Sequence, residues 1–251
     1  MKDMIVSLCL FIFCFISLGC EEDSELIVAK AVLEDEISGY TRTLQFFKDS
    51  TFQFSESSQN RIFKSDSIIK GKYSIVNDTI YLLNKIYNRE KAILKNGYLE
   101  LLSTSPLKFN LLKNNSNITS ELYTDDHSDF TFFTYSKEYF KNDFIGKGKN
   151  SSVSGQEIEI VKNLIQKSIN ENRDKFYSNL NESDYYKQCL VIVNDKNEKE
   201  LSINCLSKKS DFPLEWKHKL INVKDGGDSY FFININLTKK KITLLIVNGE
   251  A

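Results

Sequence analysis

"KAILKNGYLELL", residues 91–102, places two β-rich runs on either side of Asn96-Gly97. Asn-Gly accepts positive φ at both central positions of a tight turn, and the twist of that turn matches two antiparallel strands. The stretch therefore reads as a hairpin, and the flanking sequence repeats its spacing. "RTLQFF" (42–47), "TFQFS" (51–55), "KGKYSIV" (70–76), "TIYLL" (79–83) and "KFNLL" (108–112) are short strand-like runs. Breaks such as "KDS" (48–50) and "ND" (77–78) carry turn chemistry. Residues 25–112 are thus expected to form one antiparallel β domain, a meander closing into a small barrel or sandwich.

Working outward, "KNNSNITSE" (113–121) is polar without a period and reads as a linker. Residues 122–251 are expected to form an α+β domain. Ser154 and Glu157 make a capping box, and Ile158, Val161, Ile165, Ile169, Asn172 and Phe176 follow at helical spacing, which predicts a helix over 155–177. Strands are expected at 185–193, 200–206, 216–223, 229–237 and 241–247. The whole chain is then mainly β with one long helix: an antiparallel barrel or sandwich, then a helix laid on an antiparallel sheet, the element order of cystatin-like folds.

The first residues follow a different logic. Lys2 is followed by an uncharged run from Met4 to Leu18, too short to span a bilayer comfortably, and the run stops at "SLGC" (17–20) before Glu21, Glu22 and Asp23. This pattern resembles the lipobox of bacterial lipoproteins, with Ser17 where a Leu is usual. The resemblance implies a signal peptide over 1–19, lipidation of Cys20, and a tether over 20–24. The acid after Cys20 is similar to a surface-export signal of Bacteroidetes lipoproteins. Stable anchoring takes two or more acyl chains, at about 0.8 kcal/mol per buried CH2. The expected location is the cell envelope, as an outer-membrane lipoprotein.

Two further resemblances point the same way. The "DSTFQF … DTIYL … NGYLEL" texture (49–101) looks like lipocalin-like lipoprotein domains. "DGGDSYFFININL" (225–237) with "VNGEA" (247–251) resembles the C-terminal module of uncharacterised Bacteroidetes lipoproteins, and implies a shared fold and location but no activity.

Of five cysteines, Cys9 and Cys14 fall in the expected signal and Cys20 is the expected lipid site, which leaves Cys189 and Cys205 for the folded body. Centring a turn on Asn197 sets Cys189 opposite Cys205, within disulfide range, and the export route is oxidising; a disulfide between them is expected. The alternative is two buried thiols acting as small hydrophobes.

Signals for chemistry are sparse. The formal charge of −1 offers no basic patch for a nucleic acid. His127 and His218 lack metal-spaced neighbours, and no cofactor is implied. Cys189 or Cys205 with His218 would be a nucleophile pair without a supporting motif. Asp225 and Asp228 read as a glycine turn rather than a calcium loop. "GKGKNSSVSGQE" (146–157) lacks the P-loop pattern. Triplets at Asp49, Asp66 and Asp78 resemble Bacteroidetes O-glycosylation sites. Phe130, Phe132, Phe133, Tyr135, Tyr139, Phe140 and Phe144 are either a sugar-stacking platform or core, and core is the favoured reading. The leading functional reading is a non-catalytic envelope lipoprotein that binds a protein or glycan ligand. The alternatives are an inhibitor or immunity-type protein with one partner, and a cysteine- or carboxylate-dependent enzyme.

Overall fold

The computed structural model describes residues 27–35, 39–58, 67–95, 97–116, 126–140, 146–209, 215–223 and 225–249. The signal segment, Cys20 and the tether lie outside them, as do Asp66, Asn96 and Phe144.

Eight strands form a closed antiparallel meander: β1 (Ile27–Asp35), β2 (Tyr40–Phe47), β3 (Thr51–Ser58), β4 (Ser67–Val76), β5 (Thr79–Ile86), β6 (Arg89–Lys95), β7 (Tyr98–Leu101) and β8 (Leu107–Asn114). β8 returns to pair with β1 and seals the barrel. The turns use the expected chemistry: Asn77 and Asp78 have φ of 48° and 62°, as do Tyr87 and Asn88, so both hairpins turn through two left-handed residues. Side chains alternate along each strand. The inward set includes Ala29, Ala31, Leu44, Phe46, Phe52, Phe54, Leu99 and Phe109, all 1% exposed or less. An eight-stranded barrel is just wide enough for side chains to fill it, and this one is filled.

The second module is a six-stranded sheet carrying one helix. β11 (Tyr185–Asn194), β12 (Lys199–Ser207), β13 (Tyr230–Asn236) and β14 (Lys241–Val247) run antiparallel in that order. Two short strands share the other edge of β11: β9 (Phe130–Phe133) pairs parallel with Lys187–Leu190, and β10 (Gly148–Asn150) pairs antiparallel with Ile192–Asn194. Gly148 permits that approach, since a Cβ there would fall 2.2 Å from the Val193 carbonyl oxygen. α1 (Gly155–Glu171) opens on the Ser154–Glu157 capping box. It buries Ile158, Val161, Ile165 and Ile169 against Cys189, Val191, Ile203, Cys205 and Ile233 of the sheet. Each buried aliphatic side chain contributes roughly 1.5–3 kcal/mol relative to exposure.

Four expectations are corrected. β8 runs to Asn114, so the first two residues of the expected 113–121 linker belong to the barrel. The helix ends at Glu171 rather than Tyr177: Asn172 leaves helical geometry, and its side-chain amide donates to the Ser168 carbonyl. Phe176 is still buried, reached by a turn. Residues 216–223 are not a strand; Lys219 alone makes a bridge, with Leu107 of the barrel.

The fourth correction concerns the cysteines. Cys189 pairs with Ile203, and Cys205 pairs with Lys187. The two cysteines are diagonal neighbours on one face, and both thiols are free and buried. Diagonal positions lie about 7–8 Å apart, outside disulfide range. The turn decides this register. Asn194 N–H donates to the Glu198 carbonyl and Asn197 N–H to the Asn194 carbonyl, both at 2.9 Å, with Asn197 at φ 58°. The Asn194 side chain also accepts from the N–H of Lys196 and of Glu198. This three-residue loop with a left-handed last residue moves the turn centre to Lys196. The expected and observed registers place the same residues on the core face, so the apolar pattern alone does not separate them.

Candidate functional site

The sheet's two faces have different fates. The face bearing Cys189, Val191, Ile203 and Cys205 is covered by α1. The opposite face carries Gln188, Leu190, Ser202, Asn204 and Phe232, and residues 216–223 cross it as a strap. Side-chain amides hold the strap in place of a strand ladder. Gln188 Nε2 donates to the carbonyls of Trp216 (2.6 Å) and Lys219 (2.7 Å), and its Oε1 accepts from Ile221 N–H (2.9 Å). Asn204 donates to the Ile221 carbonyl and Asn248 to the Val223 carbonyl. Trp216 stacks on Tyr186, with ring centroids 4.3 Å apart.

Beside the strap a groove of about 780 Å³ remains open. Leu190, Ser202, Phe232 and Ile246 form its floor, Leu220–Val223 one wall, and Tyr139, Phe140, Thr104 and Ser105 the other. Among its described lining residues Glu138 is the one carboxylate or amine, and Lys91 pairs with it at 2.5 Å. Such a surface suits a neutral ligand: apolar patches for stacking or aliphatic contact, amides and hydroxyls for hydrogen bonds.

The groove bridges the two modules because β9 holds them together. On the barrel's outer face Lys95 and Glu100 form a 2.6 Å ion pair, with side chains 5% and 0% exposed. Glu100 accepts from the Thr134 N–H (2.9 Å) and hydroxyl (2.8 Å), and Lys95 donates to the Phe132 carbonyl. Lys108 donates to Asp126 (3.0 Å) and to the Thr131 hydroxyl (2.7 Å), which donates onward to Asp126. Burial pulls the Lys108 ammonium down to about 8, against the opposing pull of Asp126.

The residues singled out from sequence are scattered. His218 packs against the barrel, its Nδ1 3.1 Å from the Lys108 carbonyl, and burial lowers its pKa. Cys205 lies under the helix on the other face of the sheet, and burial raises the thiol far out of the reactive range. His127 is exposed three residues before β9, where it bridges to Phe130. Asp228 is buried and accepts from the Ser178 N–H and hydroxyl, while Asp225 is exposed, so this pair holds a turn. Asp49 accepts from the Thr51 N–H and hydroxyl in a local turn. The aromatics Phe130, Phe132, Phe133, Tyr135 and Phe140 are buried core, and Tyr139 reaches the groove. Among the described residues no three His, Cys, Asp or Glu side chains gather as a metal site, and no helix is long and apolar enough to cross a membrane.

Sequence reasoning missed the groove because its amides come from separated strands and its strap was read as a strand. The signal was present in "YYKQ" and "INC": Gln188 and Asn204 are polar residues inside otherwise apolar strands. No family model, curated protein or solved structure matches the chain.

Proposed function

We propose that this chain is an exported, lipid-anchored envelope lipoprotein that binds a neutral glycan or a peptide segment without transforming it. The observation that carries the binding reading is the groove: aromatic, aliphatic and amide groups converge there, and the one carboxylate among its described lining residues, Glu138, is already paired with Lys91. The anchoring half of the reading rests on "SLGC" followed by acid. A tether from Cys20 would hold the two modules at a membrane surface without a transmembrane segment.

Tyr139 is half-buried on the groove wall and packs on the edge of the Phe133–Tyr135–Phe140 cluster, so Tyr139→Ala removes contact surface while the buried side chains of that cluster remain. A glycan and peptide array probed with residues 25–251 is expected to return ligands whose binding falls at least tenfold in Tyr139→Ala. Binding indifferent to this change counts against the groove. Labelled palmitate is expected in the wild-type chain expressed in its envelope and absent from Cys20→Ala; equal labelling of both refutes the anchor.

A further inference from the structure

Lys108 and Asp126 are arranged as more than an ion pair. The Lys108 Nζ lies 3.0 Å from Asp126 Oδ1, and the two side chains are 1% and 7% exposed. Nζ also donates to the Thr131 hydroxyl at 2.7 Å, and that hydroxyl donates to Asp126 Oδ2 at 2.8 Å. A hydroxyl both accepts and donates, so this chain can carry a proton from the amine to the second carboxylate oxygen. Oδ1 meanwhile accepts from the Phe132 N–H at 2.9 Å. The rings of Phe133 and Tyr98 close over the nitrogen, with centroids 4.6 and 5.0 Å away.

These are the parts that joining an amine to a carboxyl group requires. The amine must be neutral to attack, and burial shifts Lys108 toward that form against the pull of Asp126. The two groups must be held in contact, which replaces a chance encounter. Negative charge develops on one carboxyl oxygen, and a fixed N–H aimed at that oxygen stabilises it. The other oxygen must leave as water and needs two protons. The product must then be kept from hydrolysis, which an apolar, water-excluding surround provides. An ordinary buried ion pair needs neither the hydroxyl relay nor the placed N–H.

We propose that Lys108 and Asp126 condense to an intramolecular isopeptide bond. The Nζ electron pair attacks Asp126 Cγ and a C–N bond forms. The Cγ–Oδ2 bond breaks, and its electron pair leaves with the oxygen. Two protons of the former ammonium pass through the Thr131 hydroxyl to Oδ2, which departs as water. An ion pair becomes a neutral amide plus water, and no other reactant is consumed. Lys108 belongs to β8 and Asp126 to the segment entering β9, so the bond makes the joint between the two modules covalent. It also fixes the spacing of the groove walls, which come from both modules. Until the bond closes, the pair titrates as a free lysine and carboxylate.

Intact mass spectrometry of denatured residues 25–251, after prolonged incubation in mildly alkaline buffer, tests this. The mass is expected about 18 Da, one water, below the sequence value, with fragment ions that join Lys108 to Asp126. The full sequence mass, or a deficit that maps to another pair or to a cyclised aspartate, overturns the proposal. Lys108→Arg keeps the charge but offers no amine, and is expected to show its full mass; a deficit in that variant also overturns the assignment. The closed fraction of freshly made chain, followed over time, tests the relay. Thr131→Val is expected to slow closure at least tenfold, and Thr131→Ser, which keeps the hydroxyl, to close near the wild-type rate. Closure at the wild-type rate in Thr131→Val refutes the proton path.

Discussion

Lys108 is the residue whose environment departs furthest from what its sequence position suggests. In "KFNLL" it occupies an outward-facing site of a barrel strand, where a lysine is ordinarily solvated. Here its ammonium is 1% exposed, against Asp126, Thr131 and the ring of Phe133 4.6 Å away. The folded protein holds this proton less tightly than the unfolded chain, whose lysine titrates near 10.5. Between the two values the unfolded state binds more protons, so stability rises with pH across that window. A gain of about 1.5 kcal/mol is expected between about pH 8 and 9.5. Above about 10 the raised phenol values of Tyr73, Tyr87, Tyr135 and Tyr139 begin to act in the opposite direction, because their folded forms resist ionisation. Urea unfolding at several pH values measures the slope. Lys108→Met is expected to flatten it, whatever its effect on absolute stability; a slope that survives in this variant assigns it elsewhere. His218 acts at the other end: its folded value is depressed, so its contribution is present above the ordinary histidine range and lost as pH falls through it.

At the scale of elements, local signals were legible where one turn or one cap decides the outcome. The capping box of α1 is an example. Ser154 accepts from Glu157 N–H at 3.3 Å and Glu157 reaches back to Ser154 N–H at 2.8 Å. Ser154→Ala is expected to cost about 1 kcal/mol, read from the unfolding midpoint, with no change in ligand binding. The same kind of local signal placed β2 to β8, since each hairpin carries its own turn residues. β1 escaped notice, although "VAKAVL" (28–33) alternates, because small Ala29 and Ala31 make a weak apolar face. What the sequence concealed was set by contacts across the molecule. The strap reads as a strand because Trp216, Leu220 and Val223 are strand-like residues, yet its carbonyls are taken by Gln188, Asn204 and Asn248, far away in sequence. The cysteine register was concealed differently: a slip of two residues preserves the face of every side chain, and only the Asn194–Glu198 loop distinguishes the registers.

At the scale of the whole molecule, the question is whether two modules with separate cores behave as two bodies. Each has enough buried apolar surface to form a core of its own. The joint between them, however, is a buried polar network that tolerates no partial opening. Separating β9 from the barrel would strip Glu100 of both Thr134 bonds and Lys95 of the Phe132 carbonyl, while exposing Lys108 without Asp126. Loss of one partner from a buried ion pair typically costs about 3–5 kcal/mol. The network adds specificity more than net stability, but it makes intermediate separations unfavourable, and unfolding of the modules should therefore be coupled. Trp216, the only tryptophan, reports on the second module through its stack on Tyr186. Phe54 is 0% exposed in the barrel interior and belongs to the other core. Phe54→Ala is expected to destabilise by about 3–5 kcal/mol, and the Trp216 fluorescence transition should shift by the same denaturant increment as the far-ultraviolet signal. Two bodies joined only by a linker would leave the Trp216 transition where it was while the barrel melted early, and that separation of the two signals would refute the coupling.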